Sequence, residues 1–153
     1  MTTTHHQQFM QRALVLAEQA YAEEEVPVGA IVVHQGMIIG KGYNQTEQLK
    51  DSTAHAEMIA LSAAFESLGS KYLKDCSMYV TLEPCPMCAG ALVLSKIDRI
   101  VFGAMDAGYG ACGSVFNIAS NRQMNHRTEV IQGIMEYDSE LLLKSFFQNK
   151  RVP

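Results

Sequence analysis

The chain has 153 residues, 48% of them hydrophobic, and a formal net charge of −4 at pH 7. This length and composition predict one globular domain over residues 1–153, large enough to bury a core and too small for a second domain. No apolar run reaches the length of a membrane span and the polar N-terminus lacks a signal-peptide core. We therefore expect a cytoplasmic protein with no membrane association.

Hydrophobic periodicity and turn residues predict helices that alternate with strands. The first two strands should form a hairpin, because Gln35 and Gly36 lie between them. The later strands are separated by helices, which favours parallel pairing and a mixed sheet covered by helices. The predicted helices span residues 7–23, 54–68, 87–95 and 136–150, and the predicted strands span 29–34, 37–43, 78–82, 99–103 and 128–132.

One histidine and two cysteines supply the ligands that zinc prefers. His55 lies in the second predicted helix, and Cys85 and Cys88 lie at the start of the third. A structural zinc site is closed by four protein ligands, whereas a catalytic site keeps three and leaves the fourth position for water. Three ligands therefore predict one catalytic Zn²⁺ per chain. Glu57 is predicted to move protons beside this ion.

The spacing of these residues requires that they lie where helices begin. Residues two apart on a regular helix point about 200° apart, so His55 and Glu57 can face one ion only at a helix start. Polar side chains at residues 51–53 are predicted to cap that start. Cys85 and Cys88 share one side of the next helix start, where the positive end of the helix dipole favours thiolates.

The cysteine pair alone fits a second interpretation. A C-x-x-C motif between a strand and a helix is also typical of thiol–disulfide redox enzymes. His55 and Glu57 favour zinc hydrolysis, because a redox pair does not use them. The remaining cysteines, Cys76 and Cys112, should be reduced and partly buried thiols.

Together, H-x-E and P-C-x-x-C make up the zinc-deaminase signature. Over nearly its whole length the chain resembles the bacterial tRNA-specific adenosine deaminases of the cytidine deaminase-like superfamily. Free-base guanine deaminases share the zinc motif but are not similar at residues 125–127 or 146–147. The similar blocks, in order, are Glu25-Val26-Pro27-Val28-Gly29-Ala30, Thr53-Ala54-His55-Ala56-Glu57, Tyr79-Val80-Thr81-Leu82-Glu83-Pro84-Cys85, Met87-Cys88-Ala89-Gly90-Ala91, Gly113-Ser114, Asn125-His126-Arg127 and Phe146-Phe147.

This resemblance implies a three-layer α/β/α sandwich around a five-stranded mixed sheet, and a homodimer with active sites near the subunit interface. It implies conversion of adenosine to inosine at the wobble position of a tRNA anticodon loop. Some of the matching residues also have a purely structural interpretation, as core, turn or packing residues. The implied substrate contacts are Asn44 for the target base, Val28 and Ala56 for the pocket wall, Asp106 for the ribose, and Phe147 with Lys150 for the RNA path.

Two other functions stay open. The acidic net charge favours a small-molecule nucleobase or nucleoside deaminase on the same fold, of the guanine, cytosine or adenosine type, because nucleic-acid binders usually have basic surfaces. A zinc-stabilised RNA-binding protein without activity is the third hypothesis, and Glu57 argues against it because a structural zinc does not need this residue. The phenylalanine pair at 146–147 and the basic residues Lys150 and Arg151 favour RNA.

Overall fold

The computed structural model describes residues 3–151, so the predicted domain, residues 1–153, extends beyond the described range by two residues at each end. The side chain of Arg151 also lies outside the description. In this range no helix is both long enough and apolar enough to cross a membrane. The elements are α1 (Thr3–Ala22), β1 (Gly29–His34), β2 (Met37–Tyr43), α2 (Thr46–Leu49), α3 (Ala56–Leu68), β3 (Cys76–Leu82), α4 (Pro86–Leu94), β4 (Arg99–Ala104), β5 (Glu129–Ile131) and α5 (Glu136–Arg151).

The strands form one mixed sheet in the order β2-β1-β3-β4-β5. Strand β1 is antiparallel to β2 and β3, whereas β3 pairs with β4, and β4 with β5, in parallel. The predicted five-stranded mixed sheet is confirmed. This topology brings the start of β1 and the ends of β2, β3 and β4 to the same edge of the sheet. The residues that adjoin these strand ends, Val28, Asn44, Glu83 and Met105, therefore start or end loops that share this edge.

Helices cover both faces of the sheet, which confirms the three-layer arrangement. Successive residues of a strand face opposite sides, so Ala30 and Val32 pack with α3 and α4 in one core cluster. Ile31 and Val33 of the same strand pack with Met10 and Ala13 of α1 in the other cluster. Helix α5 lies beside α1 and contacts β4.

Two glycines let helix α3 approach the sheet closely. A side chain at Gly42 would collide with the backbone of Ala56, and one at Gly40 would collide with the backbone of Ala60. Glycine is the residue type that leaves this space empty. The close packing fixes the first turn of α3 against β2, and the candidate ligand His55 immediately precedes that turn.

The structure differs from the predicted elements at several points. Helix α3 begins at Ala56 rather than at residue 54, and the residues at 51–53 do not cap it. The Asp51 carboxylate instead accepts hydrogen bonds from the backbone amide and the hydroxyl of Thr53 (2.8 and 2.7 Å), which makes a local turn. The short helix α2 was not predicted. Strand β3 begins two residues before its predicted start, at Cys76.

Candidate metal centre and substrate cavity

Three side chains converge where α3 and α4 begin. The Nδ1 atom of His55 lies 3.6 Å from Cys85 Sγ and 3.5 Å from Cys88 Sγ. All three potential ligand atoms lie within 4.8 Å of one another. Tetrahedral zinc, with Zn–S of about 2.3 Å and Zn–N of about 2.0–2.1 Å, requires a nitrogen–sulfur distance of about 3.6 Å. The observed distances fit this requirement.

Local backbone geometry places the ligands. His55 is the N-cap residue of α3 and Cys85 is the N-cap residue of α4, both with extended torsion angles. Pro86 occupies the first turn of α4, where the absence of its amide hydrogen costs nothing. Cys88 follows in the same turn and is fully buried. The predicted position of these candidate ligands at two helix N-termini is confirmed.

The site favours a thiolate. A hydrogen bond with Cys88 is the main cause that lowers the pKa of Cys85 to about 4, and the contact with His55 adds to it. The same hydrogen bond and burial raise the pKa of Cys88. Cys85 is therefore held as the form that binds zinc, and Cys88 releases its proton when an ion binds. The hydrogen bond with Cys85 also raises the pKa of His55, whose ring is further oriented by the Ser52 backbone.

Glu57 lies in the first turn of α3, beside the ligand cluster but not part of it. Its side chain is buried, and burial is the main cause that raises its pKa to about 7. A general acid–base catalyst works best when its pKa lies near the working pH. The environment of Glu57 therefore suits a carboxyl group that both accepts and returns a proton.

The three candidate metal ligands lie beside a cavity of about 780 Å³. This volume lies within the usual range for small-molecule and cofactor sites. His55, Glu57 and Cys85 contribute to its wall. The other lining residues are Val26, Val28, Asn44, Thr46, Glu47, Lys50, Asp51, Ser52, Leu82, Glu83, Pro86, Met87, Asp106 and Tyr109.

The structure brings three of the six predicted substrate residues to this cavity. Asn44, Val28 and Asp106 line it, and the first two are buried. Ala56 lies behind the wall, fully buried in the core cluster against the sheet. Ala56 therefore does not itself line the cavity, and its contact with a substrate stays a prediction.

Phe147 and Lys150 lie on α5, outside the cavity. Lys150 borders a neighbouring groove that meets the cavity at Glu47, and its Nζ lies 5.0 Å from the centre of the Phe146 ring. Phe147 packs edge-on against Phe146 and remains 46% exposed. These two residues can meet only a ligand that extends beyond the cavity.

Sequence reasoning gave no separate role to a buried carboxylate that anchors one wall of the cavity. Glu83 accepts hydrogen bonds from the backbone amides of Asp106 (3.1 Å), Cys112 (3.0 Å) and Ser114 (3.1 Å). The Ser114 hydroxyl also donates to it. Glu83 thus holds the whole segment 106–114, which follows β4, against the end of β3. The available signal was an acidic residue directly after an apolar strand.

A second buried carboxylate, Glu25, anchors the start of helix α2, which contributes Thr46 and Glu47 to the cavity wall. Glu25 accepts hydrogen bonds from the amides of Glu47 (3.1 Å) and Gln48 (2.7 Å). These amides lie in the first turn of α2, which explains why a helix of four residues is stable there. Glu25 was also not identified as a separate feature in the sequence.

Comparison with known proteins places the chain in a family. Residues 3–104 match the cytidine and deoxycytidylate deaminase zinc-binding region. The chain is 49% identical over 143 residues to the tRNA-specific adenosine deaminase of Aquifex aeolicus, a match that covers 94% of each protein. The match to a zinc-binding region and the geometry of His55, Cys85 and Cys88 confirm the prediction of a zinc site.

Solved structures agree with this assignment. A structure from a study of A-to-I editing by tRNA:A34 deaminases superposes with a TM-score of 0.85 and 40% identity, over 89% of this chain and 99% of that one. The guanine deaminase of Nitrosomonas europaea superposes with a TM-score of 0.78 and 27% identity, over 90% of this chain and 81% of that one. The chain therefore belongs to the zinc-dependent cytidine and deoxycytidylate deaminase family, among the tRNA-specific adenosine deaminases.

Proposed function

We propose that this protein hydrolytically deaminates adenosine to inosine at the wobble position of a tRNA anticodon. The observation that carries the proposal is a set of three candidate zinc ligands beside a buried Glu57, at a cavity of about 780 Å³. The relatives support the choice of substrate, because the protein from Aquifex aeolicus is a tRNA-specific adenosine deaminase. A single-stranded anticodon loop also lets a base leave its stack at low cost.

The residues of the chain have distinct roles in this reaction. When bound by His55, Cys85 and Cys88, zinc supplies a Lewis acid that activates water for attack on C6 of adenine. Glu57 accepts one proton from the water and transfers it to the ring nitrogen as the C–O bond forms. It then takes the second proton from the new hydroxyl on C6 and gives it to the amine, so that the C–N bond breaks, ammonia leaves and the C6 carbonyl of inosine remains. Its raised pKa suits both directions of transfer.

The cavity wall orients the base and the sugar. Asn44 offers the amide donor and acceptor that a purine edge requires, and its burial favours a fixed orientation. Val28 forms an apolar side of the pocket, and Ala56 supports that region from the core. We assign the contact with the ribose of the target nucleotide to Asp106, which lines the same cavity. Phe147 and Lys150 serve the RNA outside the cavity.

We further propose that the protein acts as a homodimer in the cytoplasm. The apolar side chains of Leu94, Val115 and Phe116 are about half exposed or more, and burial against a second copy would remove them from water. The four free thiols suit a reducing compartment. Sedimentation analysis tests the dimer, and a Phe116→Ser variant should shift the equilibrium towards monomer.

The direct test of substrate compares an anticodon stem-loop with free adenosine, guanine and cytosine. Ammonia release and inosine formation should occur on the stem-loop, should cease after zinc is chelated, and should return when Zn²⁺ is added. Because the fold is also similar to that of a guanine deaminase, free guanine is included as a small-molecule alternative substrate. Faster turnover of a free base or nucleoside than of the stem-loop would establish that alternative.

A further inference from the structure

The cavity presents few positive charges to an RNA substrate. Five of the lining residues are acidic, whereas Lys50 is the only lysine or arginine among the described residues of the wall. Contacts with phosphates usually dominate nucleic-acid affinity. At this mouth they are scarce, so an RNA loop must gain affinity there from another kind of contact.

Tyr109 supplies a candidate for that contact. It is the only tyrosine, phenylalanine or tryptophan in the wall of the cavity, within the range that the structure describes. Its side chain is 70% exposed, so the ring is available at the mouth rather than packed in the core. An aromatic ring on which a base stacks contributes about 1–3 kcal/mol by alanine substitution, and this contribution does not require a positive surface.

The backbone around Tyr109 is held in place before any ligand binds. The Asp106 carboxylate accepts hydrogen bonds from the amides of Gly108 (3.0 Å) and Tyr109 (3.1 Å). Gly110 packs directly against Glu83, and a side chain at this position would collide with that carboxylate. The anchoring of the segment by Glu83 thus reaches the residue next to Tyr109. Stacking of a base on this ring therefore does not have to order the backbone of the segment.

We propose that Tyr109 is a stacking platform for the nucleotide base adjacent to the target adenosine. This inference rests on the proposed function. When the target base enters the cavity, its neighbour in the loop loses a stacking partner. The exposed ring at the mouth replaces that partner, and so selects substrates that extend beyond one nucleoside.

Steady-state kinetics on an anticodon stem-loop test the platform. Tyr109→Ala should raise KM about 5- to 150-fold, the range that corresponds to the loss of one stacked base, and leave kcat within about threefold. Tyr109→Phe should match the parent. Tyr137→Ala is a matched control, because Tyr137 is 73% exposed on α5 and does not line the cavity. Zinc content, oligomeric state and melting temperature should be equal in all variants.

Stem-loops with an abasic nucleotide on the 5′ or the 3′ side of the target identify the stacked base. One of these two abasic stem-loops should have a higher KM than the intact stem-loop with the parent, but not with Tyr109→Ala. The difference between the two proteins measures the coupling between the ring and the base. The platform would be overturned if the parent and Tyr109→Ala had equal KM values on the intact stem-loop. It would also be overturned if Tyr109→Phe raised KM as much as Tyr109→Ala, or if neither abasic loop showed coupling. Failure of the parent to deaminate the intact stem-loop would instead overturn the proposed function.

Discussion

His55 and Cys85 both occupy N-cap positions, yet neither side chain makes a hydrogen bond to its helix. A capping side chain usually stabilises a helix by about 0.5–2 kcal/mol, so these two positions forgo that contribution. Their side chains face each other instead, with His55 Nδ1 3.6 Å from Cys85 Sγ. Binding of zinc to this pair therefore also stabilises the starts of α3 and α4.

A substitution at Glu57 tests the chemistry of the site. Glu57→Gln should retain zinc and fold, because Glu57 lies outside the ligand cluster. Activity should fall by about 10²- to 10⁴-fold, since glutamine cannot carry the proton. Metal analysis and single-turnover deamination of the stem-loop measure the two effects. Loss of zinc would reassign Glu57 as a ligand, and full activity would refute its role as proton carrier.

Glu83 determines whether the segment 106–114 stays in place against the end of β3. Glu83→Ala removes the acceptor for three buried or partly buried amides, so the free energy of unfolding should fall by about 1–3 kcal/mol. Amide hydrogen exchange in this segment should accelerate, while zinc content is unchanged. Glu66→Ala, at an exposed position on α3, is the control for loss of a charge. Unchanged exchange at Cys112 would contradict the anchoring role.

His6, where α1 packs on the sheet, is a buried titratable group whose protonation should change the stability of the fold with pH. His6 Nδ1 lies 2.8 Å from the Tyr79 hydroxyl in a buried contact. Burial, with the nearby charge of Arg99, lowers the pKa of His6 below 6.5. The unfolded chain therefore binds the proton first as pH falls, and stability decreases below about pH 6.5.

His6→Gln isolates this effect, because glutamine can keep a hydrogen bond to Tyr79 but does not titrate. Glu57 changes stability with pH in the opposite sense, since its pKa is raised. Only the difference between parent and variant therefore reports on His6. Denaturant unfolding from about pH 8 to about pH 5 should show a steeper loss for the parent. Parallel curves would show that His6 does not contribute.

The fold and the cluster of candidate metal ligands could be predicted because their signals are local. The strand and helix pattern needs only neighbouring residues, and the ligands depend on spacings of two or three residues at helix starts. The anchoring contacts are different: Glu25 reaches Glu47 across 22 residues, and Glu83 reaches Ser114 across 31. Such pairs arise only after the sheet brings its strand ends to one edge. Helix α2 was missed for the same reason.

The distribution of charge over the molecule predicts how RNA binding depends on salt. The net charge of −4 and the acidic cavity mouth leave few cations to release counterions from RNA phosphates. Lys150, which borders the groove next to the cavity, and Arg151, which follows it in the sequence, are candidates. Lys150→Ala and Arg151→Ala should each weaken stem-loop binding and reduce the slope of log K against log salt by about 0.7, the value for one single-stranded phosphate contact.

The control is Lys41→Ala, an exposed position on β2 that lies outside the cavity lining. It should change neither affinity nor slope, and zinc content and melting temperature should be the same in all three variants. Lys150 also packs over the Phe146 ring, so a fall in melting temperature for Lys150→Ala alone would indicate a packing role. If both tail variants bind and deaminate the stem-loop as well as the parent at physiological salt, the end of α5 is structural. The affinity for RNA would then have to come from stacking in and around the cavity.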